Sequence, residues 1–190
     1  MPSFLLLREK ILAHLPLGFS PVFHLIDDSC SLDPQMQKLK IFCDTSIETP
    51  PKRLGHQKAI VFALRKFLLA CNEEALIITM DGDGQDRPED LASLIQAYQR
   101  ESIQRPIILA SRSDRSESRY FVWPYHIYRM AFRALTGKSL RTGNFALYHV
   151  ESARNLLSHW FFSISYSSSL IALGKPLRFI PCPRGVRYDG

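Results

Sequence analysis

The chain has 190 residues, of which 46% are hydrophobic and 22% are charged. That composition is sufficient for one α/β domain with a buried core, and it excludes an intrinsically disordered chain. The formal net charge of +6 favours an anionic partner, although charge alone does not distinguish phosphates, acidic lipids and nucleic acid.

Apolar runs alternate with Gly- and Pro-containing breaks, which predicts βαβ units and a mostly parallel sheet with flanking helices. In chain order we predict a helix at 3–15, strands at 22–26 and 39–43, a helix at 56–70, a strand at 75–80, a helix from Pro88 through Tyr98, a strand at 107–110 and an aromatic-rich helix at 118–136.

The four cysteines, Cys30, Cys43, Cys71 and Cys182, are scattered singly. Without a CxxC pair or a zinc-finger spacing they predict neither a zinc site nor a disulfide framework, which favours a reduced, cytoplasmic setting. Charges at residues 8–10 interrupt the first apolar run and argue against a signal peptide. No stretch reaches the roughly 20 apolar residues that a membrane-spanning helix needs.

An acidic loop at residues 81–90 follows the strand predicted at 75–80. Open α/β sheets bind ligands at the carboxyl ends of their strands, so this position favours a binding site. Asp81 and Asp83 would offer hard oxygen ligands to Mg²⁺ or Mn²⁺, while a diphosphate would supply others and Gln85 could add a neutral oxygen. The loop therefore predicts a divalent metal site.

The same loop has a simpler interpretation as a turn, in which Asp86 caps the next helix and Pro88 lies in its first turn. An EF-hand calcium loop is excluded, because Asp86 stands where that loop needs glycine and Ala92 stands where it needs glutamate.

Several segments resemble, in the same order, those of family 2 glycosyltransferases, in the branch of dolichol-phosphate mannosyltransferase and bacterial polyprenyl-phosphate glycosyltransferases. The segments are 24–28 with Ser31 and Asp33, 54–59 (LGHQKA), 77–91, Ser111 and Arg112 with Arg115, 128–129, 135–137, 141–145, and 183–188. Together they cover residues 22–190.

The resemblance implies a GT-A-like, Rossmann-type domain spanning residues 1–190. About residues 1–110 would bind the nucleotide-sugar donor and the metal, and about residues 111–190 would bind the acceptor. The implied reaction is the inverting, metal-dependent transfer of a sugar from a UDP- or GDP-sugar to a polyprenyl phosphate or a membrane-linked glycan. No catalytic base is identified from the sequence.

Under this resemblance, Asp81, Asp83 and Gln85 surround a Mg²⁺ or Mn²⁺ ion. Asp27 and Asp28 approach the base and ribose of the donor. The metal would neutralise the charge that builds on the leaving nucleoside diphosphate.

Four further residues are candidates for substrate contacts. His56 begins a helix, where exposed backbone N–H groups favour anions, so it could contact the pyrophosphate; a structural histidine would fit equally well. Arg112 and Arg115 are the preferred acceptor-phosphate contacts, because a guanidinium presents a fixed fork to oxyanions. Asn144 is expected to shape the loop beneath the acceptor, although a simple Thr-Gly-Asn turn has the same pattern.

Residues 112–141 combine arginines with aromatic side chains. This pattern is typical of a helix lying on a membrane surface, and it predicts a peripheral contact at the inner face of the membrane. Aromatic core residues beside solvated arginines would give the same pattern.

The resembled family normally opens with an apolar strand that this sequence lacks, so we expect an N-terminally truncated sheet with exposed backbone groups. Such a chain could instead be a noncatalytic relative that binds anionic membranes or glycans. A nucleotidyltransferase is a minor alternative: it also places a DxD-like metal site on an α/β sheet, but the expected N-terminal Gly-rich phosphate loop is absent. Nucleic-acid binding is not expected, because no helix-turn-helix, RRM or zinc signature accompanies the charge.

Overall fold

The computed structural model describes residues 3–33, 36, 38–69, 71–112, 130, 142–173 and 176–188. In chain order its main elements are α1 (Ser3–His14), β1 (Phe23–Ile26), β2 (Thr45–Glu48), α2 (His56–Phe67), β3 (Leu76–Thr79), α3 (Leu91–Arg100), β4 (Ile107–Arg112), β5 (Thr142–His149), α4 (Val150–Leu157), α5 (Tyr166–Ala172) and β6 (Leu177–Cys182). Short 3₁₀ turns lie at Leu39–Ile41, Pro88–Asp90, Ser102–Gln104 and Trp160–Ser163.

The described strands form two sheets. Strands β1 and β2 pair in parallel, and the larger sheet has the order β3-β5-β4-β6. Strand β6 runs parallel to β4, whereas β5 runs antiparallel to both of its neighbours. The predicted α/β class, with parallel strands and flanking helices in a Rossmann-like arrangement, is confirmed. The antiparallel strand β5 was not predicted, and it brings the end of β3 next to the start of β5.

The larger sheet is covered on both faces, and its strands divide their side chains between two cores. On β4, Ile107 and Leu109 pack in one cluster with helices α2, α4 and α5. Ile108 and Ala110 pack in the other cluster with helices α1 and α3. Successive side chains of a strand point to opposite faces, so a continuous apolar run is what a strand buried on both sides requires.

The helices predicted at 3–15 and 56–70, the strands at 22–26, 75–80 and 107–110, and the helix after Pro88 lie within a few residues of their predicted places. The strand predicted at 39–43 is wrong. That segment contains the 3₁₀ turn Leu39–Ile41, and the strand follows at Thr45–Glu48.

The turn explains the error at 39–43. Leu39 and Ile41 would share one face of a strand, but in a 3₁₀ turn residues two apart point in different directions. Leu39 is accordingly 1% exposed and Ile41 is 79% exposed. The helix predicted at 118–136 lies outside the described residues except for Met130.

Candidate functional site

The acidic loop begins where β3 ends, and it is stabilised by its own carboxylates. The backbone N–H of Asp81 donates to Asp86 Oδ2 at 2.8 Å, and the backbone N–H of Gln85 donates to Asp83 Oδ1 at 3.0 Å. Gly84 adopts a left-handed φ of 84°, which glycine accepts without strain. The interpretation of Asp86 as a helix cap is wrong, because Arg87 holds the capping position of the 3₁₀ turn Pro88–Asp90 and Asp90 holds that of α3, and neither makes a side-chain cap. Asp86 closes the loop instead.

A polar network joins Asp81 to the start of α2 and to β5. The ring nitrogen Nε2 of His56 lies 3.1 Å from Asp81 Oδ1. The side-chain amide nitrogen of Asn144 contacts His56 Nε2 and donates to Asp81 Oδ1 at 3.3 Å. Gln57 donates to Asn144 Oδ1 at 2.5 Å, and Gln57 Oε1 accepts from the backbone N–H of Ser167 at 3.0 Å. The predicted residues His56, Asp81 and Asn144 are therefore brought into one cluster.

Beneath this network lies a chain of hydroxyl groups that the sequence did not indicate. Thr79 Oγ1 donates to the backbone carbonyl of Asn144 at 2.6 Å and lies 2.6 Å from the hydroxyl of Tyr166. The hydroxyls of Tyr166 and Tyr148 are 3.1 Å apart. Burial raises the pKa of both tyrosines above the ordinary value, so both remain neutral hydrogen-bonding groups. They hold the β5 backbone, and with it Asn144, in place.

The two aspartates predicted to contact the nucleotide bind backbone groups of their own chain. Asp27 is buried, and its carboxylate accepts from the backbone N–H groups of Ser29 at 3.0 Å and Ser31 at 3.2 Å. Asp28 accepts from the backbone N–H groups of Leu54 at 2.7 Å and Gly55 at 2.9 Å. A direct nucleotide contact by either aspartate stays a prediction. In the structure, the two carboxylates hold the backbone of two adjoining loops.

These two loops border a pocket of about 490 Å³. It is lined by Ser29, Cys30, Leu32, Asp33 and Arg53. The pocket lies beyond the carboxyl end of β1, where parallel strands present ligand sites. The loop that carries Arg53 leads directly into His56, so the pocket is linked along the chain to the polar network around Asp81.

The last described segment, residues 183–188, lies over the acidic loop; we call it the strap. The backbone N–H of Gly185 donates to the carbonyl of Gln85 at 2.9 Å, and the backbone N–H of Tyr188 donates to the carbonyl of Asp83 at 3.0 Å. Arg184 donates to Gln85 Oε1 at 2.5 Å, and Arg187 Nε lies 3.0 Å from Asp83 Oδ2. The sequence indicated these arginines only as part of a resemblance, not as neighbours of the acidic loop.

Two predicted acceptor contacts remain, Arg112 and Arg115. Arg112 is the last residue of β4, and Arg115 lies outside the described residues.

The oxygen atoms of Asp81, Asp83 and Gln85 suit a hard divalent cation. Among the described residues, however, no group of three His, Cys, Asp or Glu side chains could hold a metal ion. Protein-bound Mg²⁺ commonly uses one or two carboxylates and completes its coordination with water and substrate phosphates. The described residues therefore do not form a metal cage by themselves, and a Mg²⁺ or Mn²⁺ ion at Asp81, Asp83 and Gln85 stays a prediction.

The fold is a mixed α/β, Rossmann-like arrangement with a polar loop site at the end of β3. Neither a protein-family model nor a curated protein matches the sequence. Among solved structures, the chain is similar to CMP:2-keto-3-deoxy-manno-octonic acid synthetase complexed with CTP, with a TM-score of 0.58 and 16% sequence identity. The match covers 99% of this chain and 82% of that chain. At this identity the similarity establishes the fold.

These findings correct the predicted resemblance to family 2 glycosyltransferases and the predicted sugar transfer to a polyprenyl phosphate. No family model supports that resemblance, and a solved structure with a similar fold is a CMP-sugar synthetase complexed with CTP. The physical reason for the error is that carboxylates at the carboxyl end of a strand serve any metal-bound polyphosphate. The same short motif therefore accompanies more than one reaction. No described helix is long and apolar enough to cross a membrane.

The contact between His56 and Asp81 leads to a pH-dependent prediction. The hydrogen bond to the Asp81 carboxylate raises the pKa of His56 above 6.5, with burial opposing it. Because the pKa of His56 is raised in the folded state, its contact with Asp81 stabilises the fold fully at pH values below the unfolded pKa of 6.5. This stabilisation is lost as the pH rises through the folded-state pKa. We expect an NMR titration of the His56 ring to show a raised midpoint. A His56→Gln variant should lose this component of the pH dependence of the unfolding free energy, and an unshifted midpoint would contradict the contact.

Proposed function

We propose that the protein is a nucleotidyltransferase that activates a sugar by joining it to a nucleotide. The observation that carries the proposal is the contact of the strap arginines with the acidic loop, where Arg187 pairs with Asp83 and Arg184 donates to Gln85. Such a site offers carboxylates for a divalent cation and guanidinium groups for phosphate oxygens at the same place. The similarity of the fold to a synthetase complexed with CTP supports this assignment.

The substrates that fit are a nucleoside triphosphate and an acidic sugar. The structural neighbour is named for CMP and 2-keto-3-deoxy-manno-octonic acid, which makes CTP and a sugar acid the first pair to test. The open pocket beside Arg53 is our candidate for the nucleoside contact, because the loop that carries Arg53 leads into His56, which contacts Asp81. The net charge of +6 favours two anionic substrates.

In the proposed reaction, the oxygen of a sugar hydroxyl attacks the α-phosphorus of the triphosphate. The bond from that phosphorus to the bridging oxygen breaks, pyrophosphate leaves, and the hydroxyl proton is released to solvent. A divalent cation held by Asp81 and Asp83 would neutralise charge on the triphosphate and on the leaving pyrophosphate. The protein's own part is to hold these carboxylates in place through Asn144 and the strap, and we assign no general base.

The experiment that tests the proposal is pyrophosphate release by the purified chain with Mg²⁺. CTP, UTP, GTP and ATP are each combined with a panel of acidic and neutral sugars. We expect release with one triphosphate and an acidic sugar, reduced about 100-fold or more in Asp83→Asn, as is typical when an electrostatic group of a reaction centre is removed. Glu73→Gln is the matched control, because Glu73 is exposed and precedes β3 at its opposite end. Absence of pyrophosphate with every pair, in a chain that unfolds cooperatively, would reject the proposal and favour a noncatalytic binding protein.

A further inference from the structure

The strap combines a fixed backbone with exposed basic side chains. Its backbone is held by the two hydrogen bonds from Gly185 and Tyr188 to the acidic loop. The Tyr188 ring packs against Gly84 so closely that a Cβ atom added to Gly84 would come within 2.5 Å of the ring. A Cβ atom on Gly185 would overlap the carbonyl oxygen of Gly84. Both glycines are therefore required for this close approach of two backbone segments.

The arginine contacts contribute little to holding the strap. The side chains of Arg187 and Asp83 are 57% and 38% exposed, and an ion pair this accessible to water contributes about 0–1 kcal/mol. Arg184 is likewise exposed where it meets Gln85. Because the backbone bonds and the packing of Tyr188 fix the segment without them, the two guanidinium groups can leave their present partners while the strap stays in place.

Two more cations surround the strap. Lys10 Nζ lies 4.8 Å from the centre of the Tyr188 ring. The side chain of Arg87 borders Gly185 and pairs with Glu89, with a distance of 3.7 Å from Nε to the carboxylate. The strap thus adds Arg184 and Arg187 to a region that also holds Lys10 and Arg87, and Arg187 lies against the Asp83 carboxylate.

We infer that Arg184 and Arg187 form the polyphosphate-binding site of this protein, which takes the pyrophosphate portion of a nucleoside triphosphate. The inference rests on the proposed function and names the residues that bind that part of the substrate. Guanidinium groups offer paired N–H donors that match phosphate oxygens, and both are held on a segment whose backbone does not need to move. A strap that served only to close the fold would not require arginine at either position.

The carboxylates beneath the strap set the conditions for binding. A polyphosphate that approaches Arg187 also approaches the Asp83 carboxylate, which repels it unless a divalent cation lies between them. We therefore expect polyphosphate binding to depend on Mg²⁺.

The test is calorimetric binding of inorganic pyrophosphate to the full chain, with and without Mg²⁺. We expect Mg²⁺-dependent binding in the parent chain. Arg187→Gln and Arg184→Gln should each weaken it about 10-fold, the usual effect of losing one charge-assisted hydrogen bond to an anion. Arg178→Gln is the matched control, because Arg178 is an exposed arginine outside the strap and pairs with Glu101 at 2.6 Å. The affinity of this variant for pyrophosphate should stay within about 2-fold of that of the parent chain, the scatter we expect for a residue outside the site.

The outcomes separate this inference from the proposed function. Unchanged pyrophosphate affinity in both strap variants would overturn the inference, whether or not the chain transfers nucleotides. Weakened pyrophosphate binding, with unchanged unfolding midpoints, would support it even if no nucleotidyl transfer is found. Transfer that is retained at full rate in both variants would overturn the inference while leaving the proposed function intact.

Discussion

Replacing Asn144 by alanine is expected to lower the free energy of unfolding by about 2 kcal/mol, the typical consequence of leaving partly buried polar groups without their hydrogen-bond partners. Asn144 is 8% exposed, and its amide contacts groups from two other segments of the chain. The substitution would remove the acceptor for Gln57 and the donor for Asp81. The start of α2 and the acidic loop would then lose one of the groups that join them, while His56 still contacts Asp81.

The measurement for Asn144→Ala is urea denaturation, and the matched control is Asn155→Ala. Asn155 lies exposed on α4, where alanine is the better helix former, so the control should be neutral or slightly stabilising, within about 0.5 kcal/mol. The Asn144 variant should also lose stabilisation by CTP with Mg²⁺ in a thermal melt. Equal midpoints for the two variants would show that the Asn144 network does not stabilise the fold.

Replacing Gly84 by alanine is expected to detach the strap from the acidic loop. A residue with a side chain is strained at a φ of 84°, and its Cβ atom would meet the Tyr188 ring at 2.5 Å. The left-handed conformation alone costs about 1–2 kcal/mol for a residue other than glycine. The Tyr188 ring must also move, and with it the backbone of the strap.

Hydrogen exchange of the strap amides measures this detachment directly. The amide hydrogens of Gly185 and Tyr188, which bond to the acidic loop, should exchange faster in Gly84→Ala than in the parent chain. Gly82→Ala is the matched control in the same loop, because a Cβ atom there meets no other heavy atom within 4 Å and its φ is not left-handed. Unchanged exchange in the Gly84 variant, or equal acceleration in both, would contradict the packing of Tyr188 on Gly84.

The sequence by itself determined the elements whose signals are local. The apolar periodicity of residues 56–70, the Pro at the start of the helix that follows the acidic loop, and the apolar run at 107–110 each depend on neighbours a few residues away. The acidic loop was found in the same way, because glycine and aspartate mark a turn and carboxylates after a strand are candidate ligands for a cation. The strand predicted at 39–43 was wrong because its signal was also local: a short apolar run resembles a strand, although this one forms a turn.

The tertiary structure decided which of these local features meet. Asn144 and Asp81 are 63 residues apart and become neighbours only because β5 inserts antiparallel between β3 and β4. Local patterning does not specify which strand pairs with which, because strand order depends on how the helices cover both faces of the sheet. The bonds from the backbone of Leu54 and Gly55 to Asp28, and the docking of the strap on Gly84, come likewise from contacts between distant segments. The residue types of the site were thus readable from the sequence, whereas their partners depended on the packing of the chain.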